Sequence, residues 1–218
     1  GVIHPLGLLS IATYIKNVIP STEIEVLDGS ILTRAQINDR IRADIVGCTT
    51  GVLNYRHALE IAKIAKGNGA KTVFGGALAN ELTSTILNNR AEVDWIVKGD
   101  GELAMAAIVM GKALNDIPNL VWRSNSNIIF NKTVDVDLDI LPIADRRYLD
   151  VEKYINNYSS INIAEKFSRP LSFYSGKGCI YARDYGRCSF CARMDHGYRS
   201  RNPELVWQIG RASCRERV

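Results

Sequence analysis

What this chain lacks narrows its class before any motif is read. No apolar run reaches the ~18 residues that a bilayer-spanning helix needs. The opening stretch, GVIHPLGLLSIATYIK, has no basic n-region and no small-residue cleavage site, so no signal peptide is visible. Together these absences make the cytoplasm the expected compartment and a membrane partner unexpected. There is no internal repeat and no low-complexity tract. No P-loop, no G-x-G-x-x-G and no Ser-His-Asp arrangement is found. What remains is an ordinary globular composition: 218 residues, 46% hydrophobic and 23% charged, enough for one large or two small domains.

A strong charge bias is missing too, although the formal net charge of +4 hides this. The last ten residues, IGRASCRERV (Ile209 to Val218), can be back-translated to a string that resembles a common DNA-sequencing adapter read through as coding. A foreign tail has to be excluded from fold reasoning. Without it, Lys+Arg falls from 27 to 24 and Asp+Glu from 23 to 22, leaving +2. The basicity is then no argument for a nucleic-acid partner. Cys214 leaves with the tail, and four cysteines remain: Cys48 alone, and Cys179, Cys188 and Cys191 in a cluster. Clustered cysteines in a cytosolic chain point to metal binding or catalysis rather than disulfides. Cys48 reads as a small buried hydrophobe, and His4, beside Pro5, as a loop residue.

The first half alternates short apolar runs with helical patterns. EIEVLDG (23–29), ADIVGCTT (43–50), TVFGG (72–76) and VDWIVKG (93–99) read as strands, each closed by Gly, Asp or Thr. Helical spacing covers 6–18, 53–66, 80–89 and 102–114; in the second of these Leu53, Ala58, Ile61, Ala62 and Ala65 share one face. This alternation predicts an open, doubly wound α/β sheet. A chain that opens on a loop and helix is expected to lack its first strand. NLVWRSNSNIIFNKT (119–133) reads as a hairpin, 137–158 as a linker broken by Pro142, and RPLSFYSGKGC (169–179) as a strand entering a glycine-punctuated loop.

That loop carries the cysteines in the spacing C-x8-C-x2-C. Thiolates are soft ligands for zinc, copper(I) or iron-sulfur clusters. A structural zinc wants four protein ligands, and His196 is the available fourth. With Arg193, Arg199 and Arg201 nearby, Cys188, Cys191 and His196 make a zinc-binding nucleic-acid module the alternative reading. Three thiolates on a [4Fe-4S] cluster instead leave one iron open.

Here the chain resembles the radical S-adenosylmethionine (SAM) superfamily, whose usual signature is C-x3-C-x2-C with an aromatic before the last cysteine. Phe190 fills that place in CSFC, LSFYSGKGC is similar to the first barrel strand, and ARMDHGYRSRNPELVWQ is similar to the segment that opens the first barrel helix, where Pro203 and Glu204 suit a first turn. The departure is the longer first gap. The resemblance implies that Cys179, Cys188 and Cys191 ligate a [4Fe-4S] cluster, that SAM chelates the fourth iron and that Phe190 packs near its adenine.

The first half resembles the cobalamin-binding Rossmann-like domain that such enzymes often carry. HPLGLLSIATYIK is similar to its first helix, and ADIVGCTTGVLNY, KTVFGGALA and VDWIVKGDGE to its strand-end loops, with GDGE in place of the more usual GEGE. In open α/β sheets ligands sit beyond the carboxyl ends of strands. Thr49, Thr50, Gly51, Gly75, Gly76, Gly99, Asp100, Gly101 and Glu102 are the candidate cobalamin residues. The D-x-H-x-x-G motif that supplies a histidine to cobalt is absent, and His57 begins a helix.

The expected organisation is therefore a cobalamin-binding-like α/β domain with a doubly wound parallel sheet (1–115), a hairpin and linker (116–169), the start of a TIM-like radical SAM barrel (170–208) and the adapter-like tail (209–218). The resemblance implies cleavage of SAM to a 5′-deoxyadenosyl radical. Methyl transfer is the common extension, and ring formation or rearrangement the alternatives. A one-electron reductant such as flavodoxin or ferredoxin would be a partner, on a substrate the sequence does not name. The fragment alone is expected to be inactive.

Overall fold

The structure is a computed structural model that describes residues 3–125, 127–159, 172–186, 188–191 and 197–215, with side chains placed through Arg211 apart from Ser159. Helix α1 (Leu6–Val18) is followed by an extended segment, helix α2 (Arg34–Asn38), strand β1 (Ile45–Thr49), helix α3 (Tyr55–Gly67) and strand β2 (Lys71–Gly75). Helices α4 (Ala77–Glu81) and α5 (Thr83–Asn89), strand β3 (Trp95–Val97), helix α6 (Glu102–Val109) and strands β4 (Leu120–Ser124) and β5 (Asn127–Phe130) complete the first unit. Helix α7 (Val151–Ser159), strand β6 (Gly176–Gly178), helix α8 (Ile180–Tyr185), strand β7 (Tyr198–Ser200) and helix α9 (Pro203–Arg215) follow.

The main sheet has the order β1-β2-β3-β4-β5. It is mixed, not wholly parallel. β1, β2 and β3 run parallel, with Thr49 beside Gly75 and Phe74 beside Ile96, whereas β4 pairs antiparallel with β3 and β5 with β4. The hairpin expected at 119–133 thus exists and extends the sheet instead of standing apart from it. Strand alternation splits the core across two faces. Phe74, Ile96 and Val121 meet Ala58, Leu59 and Ala62 of α3, Ala79 of α4 and Ile86 and Leu87 of α5 on one face. Val73, Val97 and Trp122 meet Ala104, Ala107 and Ile108 of α6 on the other. Apolar cover on both faces explains why the parallel strands read as continuous hydrophobic runs.

Several expectations are corrected. EIEVLDG forms no ladder among the described residues: Leu27 is held by packing on Ile37, Ile41 and Val46, while Asp28 turns the chain through Ser30. The sheet ends at β1, so an open edge exists, but the run packs against the core through its side chains without entering the ladder. Leu53 is not on the buried face of α3; it precedes the helix and is 100% exposed. The helix expected at 80–89 is split at Leu82 into α4 and α5. His4 lies in the loop before α1 but is buried, its ring 4.6 Å from that of Tyr154.

The expected first barrel strand reduces to Gly176–Gly178, whose partner is β7 in antiparallel register. No barrel is formed among the described residues, because β6 and β7 make a separate two-stranded sheet. The helix start at Pro203 is where the first-turn residues put it: Asn202 Oδ1 accepts the Glu204 N–H at 2.9 Å, and α9 runs on through Arg215, with Ile209 buried. No helix among the described residues is long and apolar enough to cross a membrane.

Candidate functional site

The parallel register brings the carboxyl ends of β1, β2 and β3 to one edge of the sheet. Thr50 organises it. Its N–H and its Oγ1 both donate to the Gly75 carbonyl, at 2.7 and 2.8 Å, and Oγ1 accepts the Ala79 N–H at 3.0 Å. Gly76 has φ +88°, and a Cβ there would stand 2.7 Å from the Thr50 carbonyl oxygen and 2.8 Å from its nitrogen. Only glycine meets both conditions, which brings the β2–α4 turn against the β1 loop. Asn54 closes that loop: its Oδ1 accepts the Gly51 N–H at 2.7 Å and its Nδ2 donates to the Thr49 carbonyl at 2.9 Å. Gly99, at φ +78°, donates its N–H to Asn80 Oδ1 at 3.3 Å and has open space where a Cβ would be.

Thr49, Val52, Leu53, Asn54, Ala77 and Gly99 are the exposed residues of these loops, an uncharged and largely apolar set; Val52 is 82% exposed. An edge of backbone groups and exposed apolar side chains, with no exposed charge, fits a large flat cofactor such as a corrinoid.

Asp100 and Glu102 behave differently from the glycines around them. Both are buried, at 8% and 1% exposure, and turn toward the cysteine hairpin. Asp100 Oδ1 accepts from Lys177 Nζ at 2.9 Å, and Oδ2 accepts from an Arg199 guanidinium nitrogen at 2.7 Å and from the Val136 N–H at 2.9 Å. Glu102 Oε1 accepts from Lys177 Nζ at 3.0 Å and from Ser10 Oγ at 2.7 Å, while Tyr174 donates its hydroxyl to Ser10 at 2.9 Å. Burial alone would raise the Asp100 carboxyl; the Arg199 hydrogen bond, the Lys177 charge and the Val136 N–H outweigh it and hold it below the ordinary value. Burial would likewise lower the Lys177 ammonium, but the Glu102 and Asp100 charges raise it.

Asn119 completes the arrangement. At φ +66°, which asparagine tolerates better than most side chains, it donates from Nδ2 to the Asp100 and Val134 carbonyls, both at 2.9 Å. Gly101 packs on α1, where a Cβ would meet Ile11 at 2.7 Å. Lys177, Asn119 and Ser10 were not legible as site residues. The one local signal was Pro118-Asn119, a turn dipeptide.

Cys179, Cys188 and Cys191 are all partly buried. The Cys179 N–H donates to the Gly197 carbonyl at 2.8 Å, and the Cys191 N–H to the Cys188 carbonyl at 3.0 Å. Phe190, in the turn between the last two, is 89% exposed. The donors are of the right kind for zinc or an iron-sulfur cluster. Even so, no group of three His, Cys, Asp or Glu is close enough to hold a metal among the described residues, so these three are not gathered into a ligand set. His196 and Arg193 lie outside the described residues. Arg199 and Arg201 point inward: Arg201 is buried, donates to the Leu141 carbonyl at 3.0 Å and lies over the Tyr174 ring.

A sheet with helices on both faces and glycine-bordered loops at its carboxyl edge defines a Rossmann-like cofactor-binding domain. Residues 1–109 match the B12 binding domain family, and the chain belongs to that family. It is 26% identical over 147 residues to the anaerobic magnesium-protoporphyrin IX monomethyl ester cyclase of Synechocystis sp., a match that covers 62% of this chain and 27% of the cyclase. Among solved structures it is similar in fold to the radical S-adenosylmethionine methyltransferase TsrM from Kitasatospora setae. The form with tryptophan and a SAM analogue superposes with a TM-score of 0.69 at 18% identity, covering 97% of this chain and 44% of TsrM. The form with cobalamin and a [4Fe-4S] cluster gives 0.64 at 19% identity, covering 96% and 43%. The chain therefore spans about a quarter of the cyclase and under half of TsrM.

Proposed function

We propose that this chain is the cobalamin-binding and cluster-loop portion of a B12-dependent radical SAM enzyme. Residues 1–115 would hold cobalamin, 116–169 would connect, and 170–208 would carry the cysteine loop. The observation that carries this reading is the extent of the likeness to TsrM: it covers 97% of the chain, past the residue-109 limit of the family match, and so takes in the cysteine hairpin. Thr49, Thr50, Gly51, Gly75, Gly76, Gly99 and Gly101 would contribute backbone to the corrinoid cradle. Asp100 and Glu102 would serve it indirectly, since their carboxylates are engaged elsewhere. Cys179, Cys188 and Cys191 would hold the cluster, with Phe190 beside SAM.

When bound, the cluster supplies an electron for reductive cleavage of SAM and cobalamin supplies a methyl carrier. A small one-electron reductant of the flavodoxin or ferredoxin kind would be the partner. The zinc module is not favoured, since Arg199 and Arg201 are spent on internal carboxylate and carbonyl oxygens and are not offered to phosphate.

The test uses the full chain. Anaerobic reconstitution with iron and sulfide should give about four irons and four acid-labile sulfides per chain, and hydroxocobalamin should shift its absorbance on titration with the protein. Zinc retained without iron or sulfide would overturn the cluster assignment, and no spectral change would overturn cobalamin binding.

A further inference from the structure

Lys177 and Arg199 stand directly opposite one another in the β6–β7 register. Like charges in that position repel. They are tolerated here because two buried carboxylates from a different element receive them. Asp100 takes both cations, one on each oxygen, and Glu102 takes Lys177 again. Arg199 also donates to the Val136 carbonyl at 2.6 Å, and Arg201, just beyond β7, donates to the Leu141 carbonyl at 3.0 Å. β6 and β7 are three residues each, β6 is Gly-Lys-Gly, and so short a two-stranded ribbon is not stable by itself.

The first cysteine is tied directly to this ribbon. Cys179 follows Gly178, where a Cβ would lie 2.1 Å from the Gly197 carbonyl oxygen, and the Cys179 N–H donates to that same carbonyl. On the other side, Asp100 lies in the β3–α6 loop and Glu102 opens α6, and that loop also forms part of the cofactor edge through Gly99 and Asn80.

We propose that Asp100 and Glu102 with Lys177 and Arg199 form a charge latch by which the β3–α6 loop positions Cys179. Lys177 and Arg199 are positioning residues, acting through the backbone of the hairpin. One loop then serves two sites, so occupancy at the sheet edge and order in the cysteine hairpin are linked: a ligand that steadies the loop steadies Cys179, and the reverse. The second half of this statement rests on cobalamin binding at the sheet edge. The first half does not.

Amide hydrogen exchange on the full chain, without cofactors, tests the latch. Lys177→Met should speed exchange at Cys179 and through Tyr198–Arg201 by about tenfold while Val73 and Phe74 in β2 stay as protected as in the parent. Lys177→Arg should restore hairpin protection. Hairpin amides unchanged in Lys177→Met would overturn the proposal. Should that variant also lose protection in β2, the near-isosteric Glu102→Gln decides: faster hairpin exchange over a protected sheet supports the latch, and parent-like hairpin exchange overturns it.

The linkage has its own arm. Saturating hydroxocobalamin should slow hairpin exchange in the parent and not in Lys177→Met; equal slowing in both would overturn the coupling. If the parent binds no hydroxocobalamin, cobalamin binding and the linkage both fall, and the cofactor-free comparison still decides the latch.

Discussion

The Thr50 peptide occupies the space where a side chain on Gly76 would stand. The two backbones approach closely enough that a Cβ would lie 2.7 Å from the Thr50 oxygen, and Gly76 holds φ +88° there. Gly76→Ala therefore meets both a clash and a left-handed backbone. It should cost about 1–3 kcal/mol and weaken hydroxocobalamin binding as the β1 and β2 loops part. Gly51→Ala is the control, since its Cβ would make an ordinary 3.8 Å contact with Asn54. Denaturant midpoints of the two variants check this; equal losses would refute the steric account.

Arg123 reaches from β4 to the carboxyl end of α5. Its guanidinium donates to the Leu87 carbonyl at 2.6 Å, to Arg90 at 3.4 Å and to Val93 at 2.5 Å. Leu87 lies in the last turn of α5, where carbonyls lack intrahelical partners, and Arg90 and Val93 lie just beyond it; the Arg90 carbonyl also accepts the Val93 N–H at 3.1 Å. Arg123→Met should destabilise by about 1–3 kcal/mol, with Arg123→Lys intermediate because an ammonium cannot span all three. Urea denaturation measures both.

Acid should weaken the fold through two aspartates. For Asp94, burial pushes the carboxyl up, but Lys66 at 2.6 Å, the Thr72 N–H and Lys71 bring it below its ordinary value. Asp100 is lowered as well. A lowered carboxyl adds stability that is fully present above the unfolded pKa, about 3.9, and is lost as pH falls through the folded value. The part of the urea midpoint that the two aspartates carry should hold from pH 7 to 5 and be lost below pH 4. It comes on top of a fall that His4, held below its ordinary value by burial, begins as pH drops through about 6.5. Asp94→Asn should start lower and fall less steeply. A parallel pH profile in that variant would count against the assignment.

Cys48 should be chemically silent. It packs against the α3 face of the core, and burial pushes its thiol up to about 12. At pH 8 it stays a thiol, and the thiolate is the reactive form. Native-state alkylation followed by peptide mass spectrometry should leave Cys48 unmodified while Cys179, Cys188 and Cys191 react. Labelling of Cys48 at a comparable rate would mean the core opens readily there.

How much could be read from the residues depended on how local the cause was. β1, β2, β3 and the β4–β5 hairpin were legible because apolar runs closed by turn residues carry their own signal. The cofactor edge followed from them, since parallel strands must deliver their carboxyl ends to one side. EIEVLDG carried the same signal but forms no ladder, although the sheet ends at β1; whether a run docks in register on an open edge is nothing a window of sequence reports. GDGE was legible as a strand-end motif, but the direction its carboxylates take was not. Its glycines serve the turn, while its carboxylates face the other way, because Lys177 and Arg199, far along the chain, reach them first.

By itself, the sequence determined an α/β domain and a three-thiol loop, because hydrophobic periodicity, glycine at strand ends and cysteine spacing are properties of neighbouring residues; the cobalamin-binding type came from the resemblance of its strand-end motifs to that family. Only the tertiary structure decided that the sheet is mixed, that the hairpin at 119–133 belongs to it and that Asp100 and Glu102 bind a lysine and an arginine more than seventy positions away. Those outcomes depend on which edges and charges meet when the chain closes, and burial makes the meeting of opposite charges obligatory.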